Sequence, residues 1–144
     1  QQSRVHCVRL ACSKADNWYL RQHPNVTSMQ FKKNIKRAEK VNAIDIYLQE
    51  EATNNELAVW QKNFDKVPEL ISSKEKRQFL DKMSGVALSS DAFFPFRDNI
   101  DRASRSGVEY IVQAGGSVRD DDVIQAANEY NMLMINSGVR LFHH

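Results

Sequence analysis

Ser89-Ser90-Asp91-Ala92-Phe93-Phe94-Pro95-Phe96-Arg97-Asp98-Asn99 joins an aromatic-proline run to an Arg-Asp pair, and what bounds this stretch decides the fold. Before it, Val86-Ala87-Leu88 reads as a short buried strand. After it, Asp98 to Ser106 reads as a helix that turns Ile100 and Ala103 inward and stops at Gly107. The stretch is then a strand-to-helix turn, at the strand end where open α/β sheets bind ligands. Phe93, Phe94 and Phe96 about Pro95 offer a rigid apolar wall, and the Asp98 carboxylate beyond them can orient a flat heterocycle through its N–H donors. The same phenylalanines can also simply fill the core beneath the helix.

Towards the C-terminus the pattern continues as strand Val108–Val112, helix Asp121–Glu129 and strand Met132–Ile135, with short connections. Such alternation over residues 85–144 predicts a mainly parallel sheet flanked by helices, a βαβαβ arrangement. Towards the N-terminus, residues 13–84 read as an α-rich segment. Ser13 caps a helix that His23-Pro24 ends, and Val41, Ile44 and Leu48 share a face of a helix over Arg37–Leu48. Thr53-x-x-Glu56 and Ser72-x-x-Glu75 are capping boxes that open two more helices, lined by Leu57, Trp60 and Phe64 and by Phe79, Leu80 and Met83. In residues 1–12 the β-branched Val5 and Val8 alternate along Arg4–Leu10, which predicts a strand.

At 144 residues, one domain with a real core is expected, and the formal net charge of +2 implies neither a nucleic-acid nor a membrane partner. No stretch approaches the roughly 20 apolar residues of a membrane span. Cys7 and Cys12 are too few for a disulfide framework and fit a reducing, intracellular setting. His6, His23, His143 and His144 lack the spacing of a metal site, and no His-x-Glu with Cys-x-x-Cys is present, so no metal is expected. The basic run Lys32-Lys33-Asn34-Ile35-Lys36-Arg37 has Phe31 beside it but no further aromatic platform, and reads as a solvated helix start.

A second candidate loop, Gln113-Ala114-Gly115-Gly116-Ser117-Val118-Arg119, lies between a strand end and a helix N-terminus. Its glycines let the backbone approach a ligand, and free amides at the helix start favour anions or carbonyl oxygens. A plain tight turn accounts for the same residues.

Residues Ser89 to Ala103, the later Ser106-Gly107-Val108, the Gly115-Gly116-Ser117 loop and the ending Arg140-Leu141-Phe142-His143-His144 together resemble the C-terminal end of the bifunctional AICAR formyltransferase/IMP cyclohydrolase family of purine synthesis. The opening Gln1-Gln2-Ser3-Arg4-Val5, Lys36-Arg37-Ala38-Glu39 and Asn42-Ala43-Ile44-Asp45 resemble it too, so the likeness spans nearly the whole chain. It implies a three-layer α/β/α deaminase-like fold and a C-terminal part of the transferase domain. It also implies a cytosolic homodimer whose active sites lie at the subunit interface, and a formyl transfer from 10-formyltetrahydrofolate to the 5-amino group of AICAR. The family's AICAR-contacting positions match Arg4, Phe93 and Arg140; its folate-side positions match Val5, Pro95, Asp98, Ser117 and Val118. Ala114 stands where the family commonly has a proline, which implies a less rigid loop. The family's catalytic Lys-His pair is expected upstream of Gln1, leaving this chain with binding residues, no catalytic set and no activity alone. The alternative is a non-catalytic ligand-binding or dimerisation module of the same fold.

Overall fold

The computed structural model describes residues 3–49 and 52–142. The opening Gln1-Gln2 and the closing His143-His144, quoted above for the resemblance, lie outside the described residues. In chain order the elements are helix α1 (Arg4–Leu20), helix α2 (Pro24–Thr27), strand β1 (Gln30–Phe31), helix α3 (Arg37–Leu48), helix α4 (Asn54–Trp60), a 3-10 turn (Gln61–Asn63) and strand β2 (Phe64–Lys66). Helix α5 (Ser73–Leu80), strand β3 (Val86–Ser89), helix α6 (Asp98–Ser104), strand β4 (Val108–Gln113), helix α7 (Asp120–Glu129) and strand β5 (Leu133–Asn136) follow. The chain divides into two compact units, Gln1–Asp16 with Leu80–His144, and Asn17–Phe79.

The first unit is α/β. Strands β3, β4 and β5 form a parallel sheet in that order, with Leu88 opposite Ile111 and Ile111 opposite Met134. Helices α6 and α7 make the crossovers that parallel strands require. Val8 and Cys12 of α1, Ile100 and Ala103 of α6, and Val123, Ala126 and Ala127 of α7 are buried with Val108 and Ile111 in one core on one face of the sheet. On the other face Tyr110 stands opposite Leu133 and Val112 opposite Ile135, and all four are exposed. The turn after α6 closes through Gly107 at φ 67°, where an added Cβ would lie 2.3 Å from the Met83 carbonyl oxygen. Only glycine fits so close an approach.

The strand expected over Arg4–Leu10 is instead the start of α1. Val8 and Cys12 are buried one turn apart, the helical spacing that brings i and i+4 together. Ser13 is therefore no cap; its hydroxyl donates to the Arg9 carbonyl at 2.8 Å inside the helix.

The second unit is helical with a small ribbon of β1 against β2, antiparallel. Both capping boxes form: Thr53 N donates to Glu56 at 2.7 Å and Ser72 N to Glu75 at 2.9 Å, and these bonds hold both carboxyls below their ordinary range. Helix α3 has the expected bounds and buries Leu48 of the expected face, but Ala43 and Tyr47 are buried with it, while Ile44 is half-buried and Val41 exposed. The reason is Trp60, whose indole donates to the Ala43 carbonyl at 2.8 Å while its ring stacks on Tyr47. Phe64, read above as lining α4, is in β2 and meets Trp60 edge-on. Buried Lys76 donates to the Leu48 and Gln49 carbonyls at 2.9 and 3.2 Å, satisfying acceptors that the end of α3 leaves open. Among the described residues, no helix is long and apolar enough to cross a membrane.

Candidate functional site

The C-terminal ends of β3, β4 and β5 carry three loops, 90–97, 114–119 and 137–142, and Gln113 ties them together. Read above as the start of a loop, Gln113 is the last residue of β4 and fully buried. Its Oε1 accepts from Phe94 N at 2.7 Å, and its Nε2 donates to Asn136 Oδ1 at 3.1 Å and Met134 Sδ at 3.4 Å. The Gln113 and Ala114 carbonyls accept from Ser137 N and Gly138 N at 2.8 and 3.0 Å. Further on, Leu141 N donates to the Asp91 carbonyl at 2.9 Å, fastening the last segment to the aromatic-proline loop.

The aromatic wall is divided rather than continuous. Phe94 enters the core, so the packing alternative holds for that ring. Phe93 is half-buried beneath the Arg4 guanidinium, whose carbon lies 4.2 Å from the ring centre. Phe96 is exposed and faces Arg119 at 5.6 Å. Pro95 is half-buried between them.

The residues matched to AICAR contacts come together. Arg4 lies 5.9 Å and Arg140 5.6 Å from the centre of the same Phe142 ring, so Arg4, Phe93, Phe142 and Arg140 make one cation-aromatic cluster. Beside it is a cavity of about 600 Å³, within the range of small-molecule pockets. Arg4, Ser89, Ser90 and Asp91 give it polar groups, and Val8, Ala11, Ala92 and Phe142 give it apolar surface. Asn99 helps set the first turn of α1, its Nδ2 donating to the Arg4 carbonyl at 3.4 Å. An arginine stacked on a ring keeps its in-plane N–H donors for phosphate or carboxamide oxygen. Cys7 also lines the cavity; Cys12 is buried, and desolvation pushes its thiol up, away from nucleophilic chemistry.

The residues matched to folate contacts are less gathered. Asp98 begins α6 and lines a separate cleft of about 510 Å³ with Phe96, Arg97, Arg119 and Asp122. Ser117 and Val118 are on the neighbouring loop, Ser117 half-buried and Val118 fully exposed, while Val5 is half-buried next to Arg4 in α1. The loop amides expected to be free are taken: Gly116 N and Ser117 N donate to the Asp120 carboxylate at 2.6 and 3.1 Å. That carboxylate already supplies the negative charge a helix N-terminus favours.

The sequence named Gln113 and Arg119 only as the ends of a candidate loop, and it did not single out Phe142 or Arg9, whose guanidinium lies 3.4 Å from Asp98. Phe142 had a local signal in its spacing two residues from Arg140; Gln113 had none, since a glutamine at a strand end is usually solvated. Among the described residues no group of three or more His, Cys, Asp or Glu is placed to hold a metal. Searched against protein-family models, the chain matches none.

Proposed function

We propose that this chain is the C-terminal part of a folate-dependent AICAR formyltransferase, in which it binds the nucleotide and the formyl donor. The single observation that carries the reading is the stacking of Arg4 on Phe93 at 4.2 Å, with Arg140 at the shared Phe142, beside a ligand-sized cavity. Residues far apart in sequence are thereby set as a paired anion and ring site, which suits an imidazole carboxamide nucleotide. The Asp98 Oδ1, buried and without a partner among the described residues, suits the N–H groups of a pterin. In this reading the deaminase-like fold would be completed by a second helical layer over Tyr110, Val112, Leu133 and Ile135. The protein would work as a cytosolic homodimer.

The accepting amine is a weak nucleophile because its lone pair is delocalised into the ring. Transfer then depends on positioning, proton removal and stabilisation of the tetrahedral oxyanion. Arg4 and Arg140 would hold the nucleotide and Asp98 the donor's heterocycle. The proton and oxyanion steps would fall to a Lys-His pair upstream of Gln1.

The test mixes two variants of the full-length protein, Arg140→Ala and one lacking the Lys-His pair. If Arg140 serves the neighbouring subunit, each heterodimer has one intact site of two, and about half of the wild-type activity per heterodimer returns. No return after verified subunit exchange would rule out that arrangement. A non-catalytic binding or dimerisation module is the second reading, favoured by the exposed apolar rows Tyr110 with Leu133 and Val112 with Ile135. Absence of any Lys-His pair before Gln1 would decide for it.

A further inference from the structure

The basic run gathers at one edge of the second unit. Lys32, Lys33, Lys36 and Arg37 follow β1, Lys40 lies in the first turns of α3, and Lys62 is in the 3-10 turn before β2. Pairing of β1 with β2 brings these together: Lys32 N donates to the Asn63 carbonyl at 3.0 Å, next to Lys62. The Lys40 ammonium lies 5.6 Å from the centre of the Phe31 ring, which packs on Phe64 at 4.8 Å. All six cations are exposed, and among the described residues none is in an ion pair. Of the carboxylates on these elements, Glu39 accepts from Lys36 N at 2.7 Å and Asp45 pairs with Arg21, while Asp65 of β2 is exposed, so the cations outnumber the carboxylates on this edge.

The same surface carries apolar groups. Arg37, Lys40, Val41 and Ile44 fall on one stripe over the first turns of α3, with Val41 exposed and Ile44 half-buried. Like charges held this close repel, and an acidic partner relieves that repulsion. A single-stranded nucleic acid draws on open aromatic faces, whereas the nearest ring, Phe31, is half-buried against Phe64 with the Lys40 ammonium 5.6 Å from its centre. We propose that this stripe docks an acidic amphipathic segment of a partner protein. Its carboxylates would meet Lys32, Lys33, Lys36 and Lys40, and its apolar side chains would meet Val41 and Ile44.

The test uses the whole chain and three fluorescent probes. One is a short helix-forming peptide with glutamates and with leucines at i, i+3, i+4 and i+7; the second has serines for the leucines; the third is a single-stranded oligouridylate of equal charge. The first should bind saturably at low ionic strength and more tightly than the others. Lys32→Glu, Lys36→Glu and Lys40→Glu together should weaken it about tenfold, since each exposed charge contact is worth a few-fold at most. Lys→Arg at the same positions should retain binding, and Val41→Ser should weaken the leucine peptide alone. If the triple reversal disturbs the fold by circular dichroism, Lys36→Gln with Lys40→Gln must show the same direction. Absence of binding, equal binding of the serine peptide, or tighter binding of the oligouridylate would each overturn the proposal.

Discussion

Arg9 Nη2 lies 3.4 Å from Asp98 Oδ2, while the other carboxylate oxygen, Oδ1, is buried and has no hydrogen-bond partner among the described residues. The pair is well exposed on both sides, so its own contribution to stability is small, about 0–1 kcal/mol. Its effect is to hold a carboxylate with one committed oxygen and one buried, unpartnered oxygen in a residue that lines the Phe96 cleft.

In the full-length protein, Asp98→Ala should weaken a folate ligand far more than AICAR. A lost hydrogen bond to a charged group costs about 1.5–3 kcal/mol, roughly tenfold to a hundredfold in binding. Titration calorimetry with each ligand checks this. Equal losses for both would assign Asp98 to the α6 N-terminus instead.

Gln113→Leu should destabilise the first unit by about 1–3 kcal/mol, because the buried Phe94 amide loses its acceptor and nothing nearby replaces it. Asn136→Ala should keep the Phe94 bond and lose only the one from Gln113 Nε2 to Asn136. Urea midpoints for both variants, read at constant slope, separate the two contributions.

Gly107→Ala and Gly85→Ala form a matched pair. Both glycines have φ of 67°, so each alanine has about 1–2 kcal/mol of left-handed strain. At Gly85 nothing lies within 4 Å of the new Cβ, whereas at Gly107 it meets Met83 backbone at 2.3 Å. Gly85→Ala should fold with a modest drop in urea midpoint. Gly107→Ala should lose much more, and similar midpoints would contradict the packing of that turn.

Arg97 bonds Asp101 at 3.0 Å and Glu129 at 2.8 Å, joining α6 to α7, and Tyr130 donates to Asp101 at 2.9 Å. The Arg97 guanidinium holds both carboxyls below their ordinary values of 3.8 and 4.5. Lowered folded values mean the unfolded chain takes up protons first as pH falls. The contribution is therefore complete above the ordinary carboxylate range and disappears as pH drops through the lower folded values. Arg97→Met should flatten this part of the acid limb in urea unfolding between pH 6 and about pH 2. An unchanged slope would show that the cluster is not formed in solution.

Local chemistry made much of this structure legible. The capping boxes at Thr53 and Ser72, the alternation from Val86 to Ile135 and the inward Ile100 and Ala103 follow from spacing alone. The strand expected at Arg4–Leu10 failed because a few residues with Val5 and Val8 suit a period of 2 as well as one of 3.6, and the core contact of Cys12 decides between them. On α3 Leu48 faces inward as expected, and Val41 does not because Trp60 and Tyr47, with polar tips needing acceptors, take the interior instead. The β1–β2 ribbon is too short to leave a periodic trace. In the site, the residue types were readable, but the meeting of Arg4 with Phe93 and with Phe142 is a product of the fold and not of any local pattern.

Because one glutamine side chain holds the backbone after β3 and the side chain that ends β5, the loops at this edge cannot change length independently. An insertion placed before Phe94 must return that amide to the same spot, and one placed near Asn136 must return its carboxamide. Variation can accumulate at Ser117 and Val118, which Gln113 does not touch, without dislodging the Arg4 cluster. Attempts to graft a new ligand preference onto this scaffold should therefore begin there and leave the segment through Pro95 intact.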